Sequence, residues 1–293
     1  MSVTVAKNAG FCFGVARAAQ TVEDLMQSGA RVYTYGELIH NPVYNKGLAE
    51  RGVGILSFDE ALDIARNAIA PTRLVIRAHG IPVSEENALL SIARDNPNFA
   101  LIDMTCLFVK RIHDFADKET GDHTVTFLLC TEEHPESIGI LSHIKGEKHA
   151  ISDLTALEIA AAPYKNTKKT AILLSQTTAS KNEFKKCEKF FKKLFTNLKI
   201  FDTICNVTNS RQSEAEALAK SSDVMLVIGG RNSSNTQKLY EICCMHCEKT
   251  YHVESADDLS AISEFDDTLN IGITAGASTP LGLIKEILTQ WKK

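Results

Sequence analysis

Of the eight cysteines in this chain, three stand at matched places. Cys12, Cys106 and Cys205 are separated by 94 and 99 residues. They open the words Cys12-Phe-Gly-Val-Ala-Arg17, Cys106-Leu-Phe-Val-Lys-Arg111 and Cys205-Asn-Val-Thr-Asn-Ser-Arg211. Each word begins where an apolar or strand-like stretch gives way to a helical pattern. A helix N-terminus presents unpaired N–H groups and a partial positive charge, which favours thiolate over thiol. Three thiolates without a nearby histidine suit a soft metal centre better than a disulfide. A [4Fe–4S] cluster normally takes four thiolates, so three would leave one iron open. Gly10 and Gly14 flank Cys12 and would let the backbone approach its sulfur closely. The same spacing also fits three buried packing cysteines. The residues alone leave both readings open.

A second set of polar residues follows apolar, strand-like runs. Leu74-Val-Ile-Arg-Ala-His79-Gly80 places His79 past a strand end, and Val125-Thr-Phe-Leu-Leu-Cys130 leads to His134-Pro135-Glu136. Val224-Met-Leu-Val-Ile-Gly229-Gly230 leads to Asn232-Ser233-Ser234-Asn235, and Ile271-Gly-Ile-Thr-Ala-Gly276 leads to Ser278-Thr279-Pro280. Serine, asparagine and free N–H groups at a helix start form an anion site, to which imidazoles add charge and hydrogen bonds. Taken singly, Ser233 and Ser278 also read as helix caps, His40 and His79 as loop residues, and Glu136 as a solvated acid. The chain contains no Gly-x-x-x-x-Gly-Lys-[Ser/Thr] or Gly-x-Gly-x-x-Gly word, so no nucleotide is implied.

The elements that must position these residues alternate. Strands are predicted at Val3–Ala6, Val32–Tyr35, Leu74–Arg77, Thr124–Leu129, Thr170–Leu174, Val224–Ile228 and Ile271–Thr274. Helical spacing follows several of them; Val15, Ala18, Ala19, Val22, Leu25 and Met26 share one face. This predicts an α/β protein with mostly parallel sheet, organised as three pseudo-repeated lobes, with ligands at the C-terminal strand ends. The predicted bounds are 1–105, 106–203 and 204–293. The 293 residues, 44% apolar and 23% charged, are those of a globular chain with a large core. The net charge of −4 gives no basic excess to suggest nucleic acid or an anionic membrane. No apolar run is long enough to span a bilayer, and the N-terminus lacks a secretory pattern, so a cytoplasmic location is expected, where cysteines stay reduced.

Several of these words occur together and in order. They are Gly10-Phe-Cys-Phe-Gly14, His40-Asn41-Pro42, Ala78-His79-Gly80, Thr105-Cys106, His134-Pro135-Glu136, Gln176-Thr177-Thr178, Arg211-Gln212, Asn232-Ser233-Ser234-Asn235 and Thr274-Ala275-Gly276-Ala277-Ser278. From about residue 3 to residue 290 the chain resembles the 4-hydroxy-3-methylbut-2-enyl diphosphate reductase family. The resemblance implies a trefoil of three α/β lobes around a central [4Fe–4S] cluster with three cysteine ligands, Cys12, Cys106 and Cys205, and one open iron. It implies that His40, His79, His134, Ser233, Ser234, Asn235 and Ser278 hold the diphosphate. Glu136 would be the acid, and Thr177 would position it and the substrate hydroxyl. The reaction implied is reductive dehydroxylation of the allylic diphosphate to isopentenyl and dimethylallyl diphosphate, with a ferredoxin or flavodoxin as electron donor. Three places depart from the family pattern: Cys130 stands where a glycine is usual, Ser137 where a valine is usual, and Val207-Thr208 where Ala-Thr is common after the third cysteine.

The remaining cysteines read more simply. Cys243-Cys244-Met245-His246-Cys247 lacks a second ligand pair at zinc-finger spacing. It falls in Thr236–Lys249, predicted as a helix with Leu239, Ile242 and Cys243 inward. Lys181–Lys199 is predicted as an amphipathic surface helix whose lysines form a solvated face; an alternative is that they dock an acidic electron donor. His113, His123, His143, His149 and His252 are given no functional role. Two further readings stay in view: a non-redox or zinc-dependent diphosphate-binding protein, and a cluster enzyme with another substrate.

Overall fold

The computed structural model describes residues 2–262 and 268–291. The described strands form three four-stranded sheets, and every strand pairing is parallel. One sheet holds β2 (Arg31–Tyr35), β3 (Gly54–Leu56), β4 (Thr72–Ile76) and β5 (Phe99–Asp103), in the order β3-β2-β4-β5. A second holds β6 (Thr124–Leu129), β7 (Glu147–Ile151), β8 (Thr170–Ser175) and β9 (Leu198–Ile200), in the order β7-β6-β8-β9. The third holds β10 (Val224–Ile228), β11 (Thr250–Val253), β12 (Asn270–Ala275) and β1 (Ser2–Val5), in the order β11-β10-β12-β1. The topology is the same three times: the first and third strands are central, and the second and fourth lie at the edges.

The third sheet corrects one expectation. β1 was predicted in the first lobe, 1–105, but it pairs with β12, Val3 opposite Ile271. β12 would otherwise present an edge of unpaired N–H and C=O groups, and β1 satisfies it. The chain accordingly forms two compact units. One comprises Met1–Gln20, Glu37–Val53 and Asn206–Lys293; the other comprises Thr21–Gly36 and Gly54–Cys205.

Helices follow the strands. They are α1 (Phe13–Gln27), α2 (Pro42–Glu50), α3 (Phe58–Arg66), α4 (Val83–Asp95), α5 (Leu107–Glu119) and α6 (Pro135–His143), then α7 (Leu154–Ala161), α8 (Lys181–Leu194), α9 (Asn206–Lys220), α10 (Ser234–Cys244) and α11 (Leu281–Trp291). The β6–β9 sheet shows how the core is built. Successive side chains of a strand point to opposite faces, so Val125, Phe127 and Leu129 pack with Phe184 and Phe191 of α8. Leu128 and Leu174 instead pack with Ile112 of α5 and Ile140 of α6. Both faces are covered, as a parallel sheet requires. Truncating a fully buried ring such as Phe127 to alanine would cost about 3–5 kcal/mol.

Two predicted helices end early. The lysine-rich helix stops at Leu194, and the residues after it enter β9. The helix through the cysteine cluster stops at Cys244. Among the described residues, no helix is long and apolar enough to cross a membrane.

Candidate functional site

The three matched cysteines occupy one repeated geometry. Each follows the fourth strand of a sheet: Cys12 after β1, Cys106 after β5, Cys205 after β9. Each precedes the first residue of a helix, α1, α5 or α9. Each backbone N–H donates to a carbonyl two residues beyond the third strand of the same sheet. Cys12 donates to Ala277 (3.1 Å), Cys106 to Ala78 (2.9 Å) and Cys205 to Thr177 (3.0 Å). All three are half-buried, and none is in a disulfide. Cys106 is the N-terminal cap of α5, yet its side chain does not cap the helix.

Other cysteines are built differently. Burial pushes the thiol of Cys130 up to about 11 and those of Cys187 and Cys243 up to about 12. Such groups stay protonated at neutral pH and are poor metal ligands. Among the described residues, Cys243, Cys244 and Cys247 bring no metal-binding group together. Cys243 and Cys247 pack in an apolar cluster with Leu239, while Cys244 is exposed.

In the second unit, a carboxylic acid is held in a dry setting. Pro135 and Glu136 form the first turn of α6, and His134 is its cap. The Glu136 amide donates to Nδ1 of His134 (3.1 Å), so the neutral ring carries its proton on Nε2. The Glu136 side chain folds inward and is 2% exposed. One carboxyl oxygen accepts from the Thr177 amide (2.7 Å) and the other from the Thr177 hydroxyl (2.8 Å). Burial raises the Glu136 pKa to about 7, even though both Thr177 bonds oppose the shift. His79, just past β4, meets His134 edge-on, with ring centroids 5.3 Å apart.

The first unit carries hydroxyls and an amide instead. Ser233 caps α10 by accepting from the Thr236 amide (3.4 Å). The Ser278 hydroxyl lies 3.2 Å from both the Ser233 oxygen and the His40 carbonyl. His40 is largely buried and precedes α2, which Asn41 caps. Ser234 and Asn235 open α10, where backbone N–H groups point outward from the helix start. Asn235 is 5% exposed, and neither end of its side-chain amide has a protein hydrogen-bond partner. A buried amide left so costs about 1–3 kcal/mol, a cost an anionic ligand would relieve.

The structure thus joins Glu136 to Thr177, His79 to His134, and Ser233 to Ser278 and the His40 backbone. Two features escaped the sequence. Gln176 accepts from the Thr131 amide (3.1 Å) and the Ser137 hydroxyl (3.4 Å), tying the turn before α6 to the turn after β8. Its place beside Thr177 in Gln176-Thr177-Thr178 was the one available signal. The carbonyls of Ala78, Thr177 and Ala277 left no signal, because a backbone acceptor has no residue type.

Known proteins match this architecture throughout. Residues 3–292 match the LytB protein family. A 4-hydroxy-3-methylbut-2-enyl diphosphate reductase from Caldanaerobacter subterraneus subsp. tengcongensis is 35% identical, covering 100% of this chain and 97% of its own. The enzyme of the same name from Geobacter sulfurreducens is 36% identical, over 98% and 96%. Among solved structures, an (E)-4-hydroxy-3-methyl-but-2-enyl diphosphate reductase, the terminal enzyme of the non-mevalonate pathway, superposes with a TM-score of 0.69 at 30% identity, covering 100% and 99%. An E-1-hydroxy-2-methyl-but-2-enyl-4-diphosphate reductase from Plasmodium falciparum shares the fold, with a TM-score of 0.84 at 22% identity over 100% and 88%. With a family match over nearly its whole length and full-length relatives above 30% identity, the chain belongs to the LytB family.

Proposed function

We propose that the protein reduces (E)-4-hydroxy-3-methylbut-2-enyl diphosphate to isopentenyl and dimethylallyl diphosphate. The substrate C–O bond breaks, a C–H bond forms, and two electrons and two protons are consumed for each water released. The observation that carries this reading is the Thr177 peptide. Its N–H and hydroxyl hold Glu136, and its carbonyl receives the N–H of Cys205. One residue therefore sets a proton donor beside a cysteine fit to bind a metal.

Cys12, Cys106 and Cys205 suit an iron–sulfur group: they are half-buried, outside disulfides, at helix starts, and alike in backbone geometry. When bound, a [4Fe–4S] cluster on these three ligands supplies single electrons and Lewis acidity at an open iron. Hydroxide is a poor leaving group, so departure as water needs a proton, and Glu136 delivers it. A carboxyl with a pKa of about 7 is partly protonated at neutral pH and can still give up its proton. Thr177 fixes both carboxyl oxygens and hence the direction of transfer. His40, His79, His134, Ser233, Ser234, Asn235 and Ser278 bind and orient the diphosphate, away from the bond that breaks. A ferredoxin or flavodoxin suits the role of electron donor, since the cluster accepts electrons singly.

Iron and acid-labile sulfide, measured per chain after anaerobic purification together with the visible spectrum, test the proposal. About four irons, as a [4Fe–4S] cluster requires, and a spectrum that changes with the diphosphate are expected. A colourless protein after anaerobic reconstitution, or one holding zinc, would overturn it.

A further inference from the structure

The threefold repeat exposes one place where the second sheet departs from the other two. The residue after the first strand of each sheet donates its N–H to the last residue of the edge strand beside it. Gly36 donates to Leu56 (2.8 Å), Gly229 to Val253 (2.9 Å) and Cys130 to Ile151 (2.9 Å). The two glycines have φ of 64° and 144°. No described non-glycine residue has a positive φ, so Cys130 makes the same turn with an ordinary backbone and a side chain. That side chain is 8% exposed and packs with Leu128, Ile140 and Leu174.

The residue facing this position changes with it. In the third sheet, a Cβ on Gly229 would lie 2.8 Å from the hydroxyl of Thr236, the third residue after the cap Ser233. In the second sheet, the third residue after the cap His134 is Ser137, whose hydroxyl faces the Cys130 thiol and works against the upward push of burial on it. One lobe pairs glycine with threonine; the other pairs cysteine with the smaller serine. Ser137 follows Glu136 directly, and its hydroxyl also donates to Gln176, which precedes Thr177. The contact between Glu136 and Thr177 is therefore bracketed, one residue away on each side, by the contact between Ser137 and Gln176.

We propose that Cys130 and Ser137 are a coupled pair of positioning residues that hold Glu136 against Thr177. The thiol packs against the serine, the serine hydroxyl donates to Gln176, and the turn before α6 is kept in register with the turn after β8. The pair touches neither substrate nor cofactor. Its role in turnover rests on the reaction proposed above, whereas its effect on the Glu136 carboxyl does not.

The test transplants the pair from the third sheet. Cys130→Gly, Ser137→Thr and the double variant are compared with the wild-type chain. The Glu136 carboxyl midpoint is followed by infrared or 13C NMR titration, with kcat and KM measured for the diphosphate. The cap His134, and Cys130 with the charge of Glu132 that acts on it, are followed in the same titrations. Cys130→Gly leaves a cavity beside Ser137; Ser137→Thr crowds the thiol. Each single variant is expected to loosen the Thr177 bonds, raise the midpoint and lower kcat about 10-fold with KM little changed. The double variant is expected to recover to within about 3-fold of wild type. A double variant as slow as the product of the singles would overturn the pair. So would single variants that lose melting temperature while the midpoint stays put. If a single variant does not fold, Cys130→Ala, Ser137→Ala and their double take its place, and additive effects contradict the coupling. A wild-type chain inactive on the diphosphate sinks the reaction alone, because the midpoints still report on the pair.

Discussion

The two units carry polar sites of opposite character. In the second unit, Glu136 is buried and fully engaged, with both carboxyl oxygens taken by Thr177. In the first, Asn235 is as deeply buried, yet its amide bonds to nothing in the protein. The contrast separates two tasks. A proton donor must be aimed before substrate arrives, and its pKa is set by the burial that aims it. A binding site for an anion gains by leaving donors unsatisfied, since the ligand then relieves a standing cost. Both arrangements cost stability: Asn235 through an unpartnered amide, and Glu136 through the burial that raises its pKa.

Breaking the engaged side should cost the most. Glu136→Gln is expected to lower kcat by about 100- to 10,000-fold, with bound iron and diphosphate affinity retained. A near-wild-type rate would show that the acid lies elsewhere. Cys106→Ser, which replaces a soft thiolate, is expected to lose cluster iron on elemental analysis; full iron content would remove Cys106 from the ligands. Thr177→Val removes one of the bonds that favour the carboxylate. Its loss raises the Glu136 pKa above about 7, so the fall in kcat at rising pH should begin at higher pH than in the wild type. Asn235→Ala sharpens the contrast from the other side. It should raise KM for the diphosphate while raising the melting temperature by about 2–4 °C, the shift expected for about 1 kcal/mol. A variant that bound less tightly and melted lower would mean that Asn235 supports the fold rather than the ligand.

The six central strands were legible in the sequence, and the edges mostly were not. β4, β6, β8, β10 and β12 are mostly apolar and largely buried, β6 and β10 at every residue, while β2 alternates buried Val32 and Thr34 with more open residues. The missed strands β3, β5, β7, β9 and β11 all lie at sheet edges. An edge strand is half solvated and carries no continuous apolar signal; β7 reads Glu147-Lys-His-Ala-Ile151 with only its last residue buried. β1 was read as a strand, but its partner β12 lies some 270 residues away, which no local pattern encodes. The cysteine repeat was visible as spacing. What makes it a repeat in space is the bond from each cysteine N–H to the carbonyl beyond the third strand, and backbone acceptors are silent in a sequence. Ser233 does cap a helix, as its plainer reading held, and it is also joined to Ser278. Glu136 is not the solvated acid its plainer reading allowed, because α6 turns it inward onto Thr177.

The central claim is that a buried Glu136, held by Thr177, supplies the proton that lets the substrate hydroxyl leave. The most direct measurement is kcat against pH on the diphosphate, for anaerobically reconstituted wild type and Glu136→Gln with the same one-electron reductant. A wild-type rate that falls as pH rises through about 7, the value to which burial lifts this carboxyl, with the variant slow at every pH, is the predicted result. A variant that keeps both the rate and the pH dependence of the wild type would contradict the account.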